Sequence, residues 1–163
     1  MTKKILIAYA SHYGSTEQVA QTIAEELIQR GQSVELQPVQ QVTGLSAYDA
    51  LVLGSAVRYG QWLPEALTFV NTHRAEIQHK PAVLFTVHIL NTGSDPESQT
   101  ARSAYLNTVR SIVKPAAEAF FAGKIDFGRM TVFDRMLCKL IKSPVGDLRD
   151  WPAIRTWSQA VFA

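Results

Sequence analysis

The chain has 163 residues, a formal net charge of +2 and a single cysteine, Cys138. With 47% hydrophobic and 18% charged residues it has the balance of a globular protein with a sizeable core, not of a disordered chain. So mild a positive charge gives no reason to expect a nucleic-acid partner. One cysteine excludes an internal disulfide framework and a cysteine-based metal site, and a reducing cytoplasm is the expected compartment.

The basic start, Met1-Thr2-Lys3-Lys4, is followed by an apolar run that Ser11 and His12 break, too short for a signal sequence. That run, Lys4 to Ala10 (KILIAYA), has the pattern of a strand buried on both faces. Thr16 to Arg30 places Val19, Ala20, Ile23, Ala24, Leu27 and Ile28 on one helical stripe, ended by Gly31. Ser33 to Val39 predicts a short strand and Ala50 to Ser55 (ALVLGS) a buried one. Pro64 suits the first turn of a helix reaching Gln78, and Pro81 precedes a strand at Ala82 to Leu90. Polar Asn91 to Ser98 leads into a helix over Gln99 to Val113. Ala116 to Ala122 (AAEAFFA) fits helix or strand by pattern, and its place in the alternation makes it the fifth strand. Two helices, Thr131 to Lys142 and Trp151 to Phe162, close the chain.

Buried strands alternating with helices imply a doubly wound α/β domain, a parallel sheet covered on both faces, spanning 1–163 as one unit. Ligands of such sheets bind beyond the carboxyl ends of the strands, where strand order reverses.

The first loop there, Ser11-His12-Tyr13-Gly14-Ser15-Thr16, feeds a helix N-terminus with its unpaired N–H groups and positive dipole end. Gly14 lets the backbone curl around a ligand, and three hydroxyls add donors. The result is a nest for a phosphate without lysine or arginine. An ordinary Ser/Thr cap with a glycine turn is the competing reading, although a cap needs one hydroxyl only. Neither a G-x-x-x-x-G-K-[ST] loop nor a G-x-G-x-x-G turn follows the first strand, and no acidic pair ends it. That leaves a monophosphate as the ligand.

The second loop, Ser55-Ala56-Val57-Arg58-Tyr59-Gly60-Gln61-Trp62, sets two aromatic rings beside a glycine. Tyr59 is read as facing a flat cofactor ring; Trp62 fits that role and a lid on the core equally well. The third, His88 to Ser94, offers Asn91, Thr92 and Gly93 to a ring edge, and would singly pass for a plain turn.

Together these loops resemble those of flavodoxin, and Ile7, Tyr9, Ser11, Gly14, Thr16, Ala20 and Ile23 all fall at the places of its N-terminal signature. Ala8, where a larger apolar residue is usual, is the one departure. The resemblance implies a five-stranded parallel sheet of order 2-1-3-4-5 and an FMN cofactor on the three loops. Two further segments resemble one branch of the family, the menaquinone-dependent protoporphyrinogen oxidases. They are LGSAVRYGQW, with its R-Y-G element, and VFDRMLCKLIK, with Phe133 where that branch has tyrosine. Val145 to Trp151 is shorter than the corresponding stretch of that branch. The branch implies oxidation of a porphyrinogen with electrons passed to a quinone; an electron carrier serving a redox protein is the alternative.

Arg58 in the flavin loop of a mildly basic chain would favour a reduced, anionic flavin, or hold a propionate through a bidentate pair. A surface arginine with neither contact is the plain alternative. The Thr131–Lys142 helix carries Arg135, Lys139 and Lys142 on one side and Phe133, Met136, Leu137, Leu140 and Ile141 on the other. Its apolar side is expected to pack inward on its own domain. A peripheral seat on the inner face of an anionic membrane is the second reading. Cys138 reads as a packed thiol, and neither His12 nor His88 stands out as a catalytic acid or base.

Overall fold

The computed structural model describes residues 2–125, 131–140 and 146–163. Strand β1 (Lys4–Ala10) runs through a short loop into helix α1 (Ser15–Gln29), and the chain returns as β2 (Ser33–Pro38). A one-turn 3-10 segment and a loop lead to β3 (Ala50–Arg58), then β4 (Gln61–Trp62), α2 (Pro64–Thr72), α3 (Arg74–Ile77) and β5 (Ala82–His88). Helices α4 (Pro96–Ala104) and α5 (Asn107–Arg110) precede β6 (Ala117–Ala122) and β7 (Lys124–Ile125). Helix α6 (Val132–Leu140), β8 (Gly146–Asp147) and α7 (Trp151–Ala160) complete the described chain.

The five long strands are parallel and lie in the order β2-β1-β3-β5-β6. This is the expected 2-1-3-4-5 arrangement once the two-residue β4 is set aside. The sheet has a sixth strand because β4 folds back antiparallel on β3, pairing Arg58 with Gln61 and Val57 with Trp62. The connections leave β1 in opposite directions, through α1 to β2 and then across to β3. Strand order therefore reverses between β1 and β3, where a crevice opens.

Alternation along each strand divides the core in two. Ile5, Ile7 and Tyr9 of β1 join Val52, Val83 and Phe85 beneath α1 and α7. Leu6, Ala8, Leu51, Leu53 and Leu84 pack on the other side with Phe69, Val70, Ile77 and Val109 from α2, α3 and α5. Gly54 is obligatory in this packing, since a Cβ there would stand 2.0 Å from the Phe85 ring. On the first face, Glu26 of α1 accepts from Arg155 at 2.6 Å and Gln159 at 2.9 Å of α7.

Several boundaries differ from those read in the sequence. The helix expected over Pro64–Gln78 breaks at His73, whose ring lies 4.7 Å from that of Phe69 and whose backbone leaves helical geometry. The helix expected from Gln99 starts three residues earlier. Asp95 caps it by accepting from the Ser98 N–H at 2.9 Å, ahead of Pro96. It is interrupted after Ala104, where Tyr105 and Leu106 turn into the core. Strand β5 ends at His88, short of the expected Leu90, because the His88 ring bonds the Leu90 carbonyl and turns the chain. Of the Thr131–Lys142 helix, Ile141 and Lys142 lie outside the described residues.

Candidate functional site

The connection Arg58-Tyr59-Gly60-Gln61 is a β-hairpin, not the open loop that the sequence suggests. Its two central residues have φ of 53° and 75°, the positive pair of a tight I′-type turn. Gly60 adopts this freely, while Tyr59 does so at a cost of about 1–2 kcal/mol. That backbone leaves Tyr59 68% exposed at the rim of the crevice, with the Arg58 guanidinium 5.1 Å from its ring centre. Trp62, on the returning strand, is 1% exposed, and its indole N–H donates to Thr86 Oγ1 at 2.9 Å. Of its two readings the structure places it in the core. Ser55 lies there too, accepting from the Leu63 N–H at 3.0 Å and donating to the Ala56 carbonyl at 2.7 Å.

In the first loop, Gly14 has φ 87° and stands at the start of α1, which no side chain caps. The Gly14 N–H instead donates to Ser11 Oγ at 3.1 Å, curling the loop on itself. Ser15 Oγ accepts from the Lys124 N–H at 3.2 Å, tying the loop to β7. Thr16 is buried, and its hydroxyl oxygen has no hydrogen-bond partner. An orphaned hydroxyl at an uncapped helix start costs stability unless a ligand meets it. The plain-cap reading does not fit, because no hydroxyl caps the helix.

These loops, with that after β5, enclose a cavity of about 450 Å³ at the carboxyl ends of the strands. His12, Tyr13, Ser15, Thr16, Ala56 and Val57 line it, as do Arg58, Tyr59, Gly60, His88 and Asn91. Ser11 and Gly14 shape the loop beneath. Thr92 and Gly93 do not line the cavity, and the Gly93 carbonyl accepts from Arg102 at 2.5 Å. His12 bonds Glu65 at 2.8 Å. His88 is almost fully buried, and burial pushes its pKa below the ordinary histidine value, which keeps the ring neutral. With its Nδ1–H given to the Leu90 carbonyl at 2.8 Å, Nε2 is left as an acceptor.

Helix α6 closes one side of the cavity with Asp134 and Leu137. Asp134, 7% exposed, accepts from Arg58 Nη2 at 2.5 Å and from the Tyr13 hydroxyl. Burial opposes the charge on Arg58, but the Tyr59 hydroxyl and the Asp134 carboxylate outweigh it and hold the pKa above the ordinary arginine value. Burial and the same carboxylate raise the Tyr13 phenol. The inward packing expected for this helix is corrected: Val132, Phe133, Met136 and Leu140 are exposed, because the anchored side is the one bearing Asp134 and Leu137.

Sequence reasoning named Asp134 within a motif without giving it a role, and missed Tyr105, Lys124 and Leu137. Tyr105 accepts from the Asn91 side chain at 2.7 Å, so a residue of the turn between α4 and α5 positions the third loop. Lys124 carries no local signal, since only the β6–β7 path brings it to the cavity.

A parallel doubly wound sheet with a phosphate-type nest and an aromatic hairpin at its switch point defines a flavodoxin-like flavoprotein fold. Residues 6–150 match the flavodoxin domain family, and the chain belongs to it. It is 26% identical over 164 residues to a protoporphyrinogen IX dehydrogenase [quinone] of Escherichia coli K12, covering 96% of this chain and 90% of that protein. A protein of the same name from Leishmania major is 26% identical over 171 residues, covering 95% and 73%. Among solved structures, a flavodoxin from the domain Archaea superposes with a TM-score of 0.54 at 18% identity, covering 96% and 99%. The family and this fold make a flavin the cofactor, and the donor set fits one that ends in a phosphate.

Proposed function

We propose that the chain is an FMN-dependent oxidoreductase that oxidises a porphyrinogen-like substrate, protoporphyrinogen IX, and delivers the electrons to a quinone. The observation carrying this reading is the Arg58–Asp134 contact. The two segments that resemble the protoporphyrinogen oxidase branch, 76 positions apart, converge on the cofactor cavity. The names of the two curated relatives support it.

Ser11 to Thr16 hold the phosphate of FMN through the α1 N-terminus and the Thr16 hydroxyl. Tyr59 covers the ring from the hairpin, and Asn91, positioned by Tyr105, offers a hydrogen bond to its edge. When bound, FMN supplies the two-electron redox chemistry. Arg58 supplies the positive charge that favours the reduced cofactor and meets a substrate carboxylate. Leu63 and Val87, both buried, exclude water from the cavity wall. Among the described residues no helix is long and apolar enough to cross a membrane. The exposed apolar side of α6 favours a peripheral seat on the cytoplasmic face of a membrane, where quinone is dissolved.

The exposed rim formed by Tyr59 and Leu90 also suits docking of a redox protein, the carrier reading. Steady-state oxidation of protoporphyrinogen IX with a menaquinone analogue separates the two. Turnover establishes the enzyme. Absence of turnover, with rapid electron exchange to a redox protein, establishes the carrier.

A further inference from the structure

The Asp134–Arg58 pair is an unusual use of a guanidinium. Asp134 is almost fully buried, and the Arg58 side chain remains 31% exposed and lines the cavity. Among the described residues both side-chain hydrogen bonds of Arg58 leave from Nη2, one to Asp134 and one, at 3.5 Å, to Tyr59. Both edges through which a guanidinium grips a carboxylate with two parallel bonds, Nε–Nη2 and Nη1–Nη2, include that nitrogen, so a bidentate carboxylate must take the place of Asp134. On the other side, Asp134 has a second donor in Tyr13, and its backbone N–H is held by Thr131 Oγ1 at 3.1 Å. The carboxylate thus keeps the Tyr13 hydroxyl if Arg58 leaves it.

We propose that Asp134 occupies on Arg58 the place of a substrate carboxylate, so that a carboxylate-bearing substrate binds by displacing it. This rests on the porphyrinogen reading above and names what that substrate must carry. One cation cannot compensate two neighbouring carboxylates in a largely desolvated site. A newcomer bound through two nitrogens outcompetes a pair made through one. Released from Arg58, Asp134 falls back on Tyr13 and the start of α6. In the resting protein the pair keeps Arg58 aimed into the cavity and discriminates against ligands without a carboxylate, which cannot separate it. Asp134 is a positioning residue in this scheme, and Arg58 makes the contact.

The test uses the FMN-loaded protein and two probes with one ring system, deuteroporphyrin IX and its dimethyl ester, with binding followed by porphyrin fluorescence. Asp134→Asn is expected to tighten the dicarboxylate about five- to tenfold, the scale of removing a competing desolvated ion pair, and to leave the diester unchanged. Arg58→Gln should erase the preference between the two probes, and Asp134→Glu should restore the wild-type ratio. If Asp134→Asn weakens the dicarboxylate, or shifts both probes equally, Asp134 only anchors α6 and the proposal is overturned. Wild-type protein that binds both probes alike overturns it too while leaving the porphyrinogen reading intact. Wild-type protein that binds neither probe overturns that reading and this proposal with it.

Discussion

Asp134 and Arg58, 76 positions apart in the chain, meet at 2.5 Å in the wall of the cavity and neutralise one another there. Arg58 therefore does not act there as an isolated cation, and its effect on the flavin is the difference between its own field and that of Asp134. Arg58→Gln leaves Asp134 negative beside the ring and should lower the two-electron potential. Asp134→Asn leaves Arg58 uncompensated and should raise it. Shifts on the order of 30 mV, about 1.4 kcal/mol for two electrons, are expected in opposite directions. Potentiometry of both variants checks this. Shifts of the same sign would place the pair away from the ring.

Thr16 provides the most direct test of the phosphate nest, because its buried hydroxyl lacks a protein partner. Thr16→Val keeps the shape of the side chain and removes the hydrogen bond. FMN affinity should fall by about 1.5–3 kcal/mol, the worth of a hydrogen bond to a charged group, while riboflavin affinity stays within about 0.5 kcal/mol. The apo-protein should lose little or no stability, since nothing bonded is removed. Isothermal titration with both ligands and a denaturation curve of the apo-protein read all three. Equal losses for FMN and riboflavin would move Thr16 out of the nest.

The strands and the first loop were legible in the sequence because their signals are local. KILIAYA and ALVLGS are runs dominated by apolar residues, and Gly14 among Ser11, Ser15 and Thr16 marks a loop turning into a helix. The hairpin at Tyr59-Gly60 was hidden because tyrosine is not a residue that announces positive φ, and so Arg58 and Tyr59 were read as loop. Trp62 was ambiguous because an aromatic next to a glycine looks alike in a core and at a rim; its bond to Thr86 is visible only once β3 and β5 pair. The orientation of α6 was misread for a comparable reason. Its pattern is amphipathic, and the buried Asp134 that decides which side turns inward is recognisable only opposite Arg58 and Tyr13.

Gly54 marks a close approach that tolerates no side chain. Gly54→Ala would put a Cβ 2.0 Å from the Phe85 ring, at the centre of the sheet, where neither strand can shift without breaking the β1–β3–β5 ladder. A loss of about 3 kcal/mol or more is expected, at the upper end for overpacked cores. Gly44→Ala, with nothing within 4 Å of the added carbon, should be nearly neutral. Urea denaturation of the two variants makes the comparison. Similar midpoints would mean that Phe85 moves aside easily.

Acid should weaken the packing around α1 in two places. Hydrogen bonds from Gln159 and then Arg155 hold the Glu26 carboxyl below its ordinary pKa, and Arg149 lowers Asp147 from 3.8 to about 2. Both pKa values are depressed in the folded state, so their stabilisation is present above the unfolded values. For Asp147 it disappears as the pH falls from about 4 to about 2. Asp147 is 42% exposed, so added salt should shrink its share. Asp147→Asn should flatten the stability profile between pH 4 and 2 and change nothing at pH 7 beyond the lost pair. Denaturation curves across that range at low and high salt measure both effects, and an unchanged slope would remove Asp147 from the account.

The outer side of α6 supports the last prediction. Val132, Phe133, Met136 and Leu140 form one stripe, at 65–80% exposure, on a helix whose other side lines the cavity. Lys139 is exposed on the same helix, while its acidic residue, Asp134, is turned inward and paired. An apolar stripe with an accompanying cation and no exposed acid suits an anionic bilayer surface, where each basic residue adds about 1 kcal/mol. The protein should therefore sediment with vesicles containing phosphatidylglycerol and much less with phosphatidylcholine alone. Burying a large apolar side chain is worth about 1.5–3 kcal/mol, so Phe133→Ser with Met136→Ser should weaken binding at least about tenfold. FMN binding should survive, because neither residue lines the cavity. If the wild-type protein ignores anionic vesicles and instead associates with itself as concentration rises, the stripe is an interface between copies. Quinone would then reach the cavity from solution, and the peripheral seat would be lost from the functional reading.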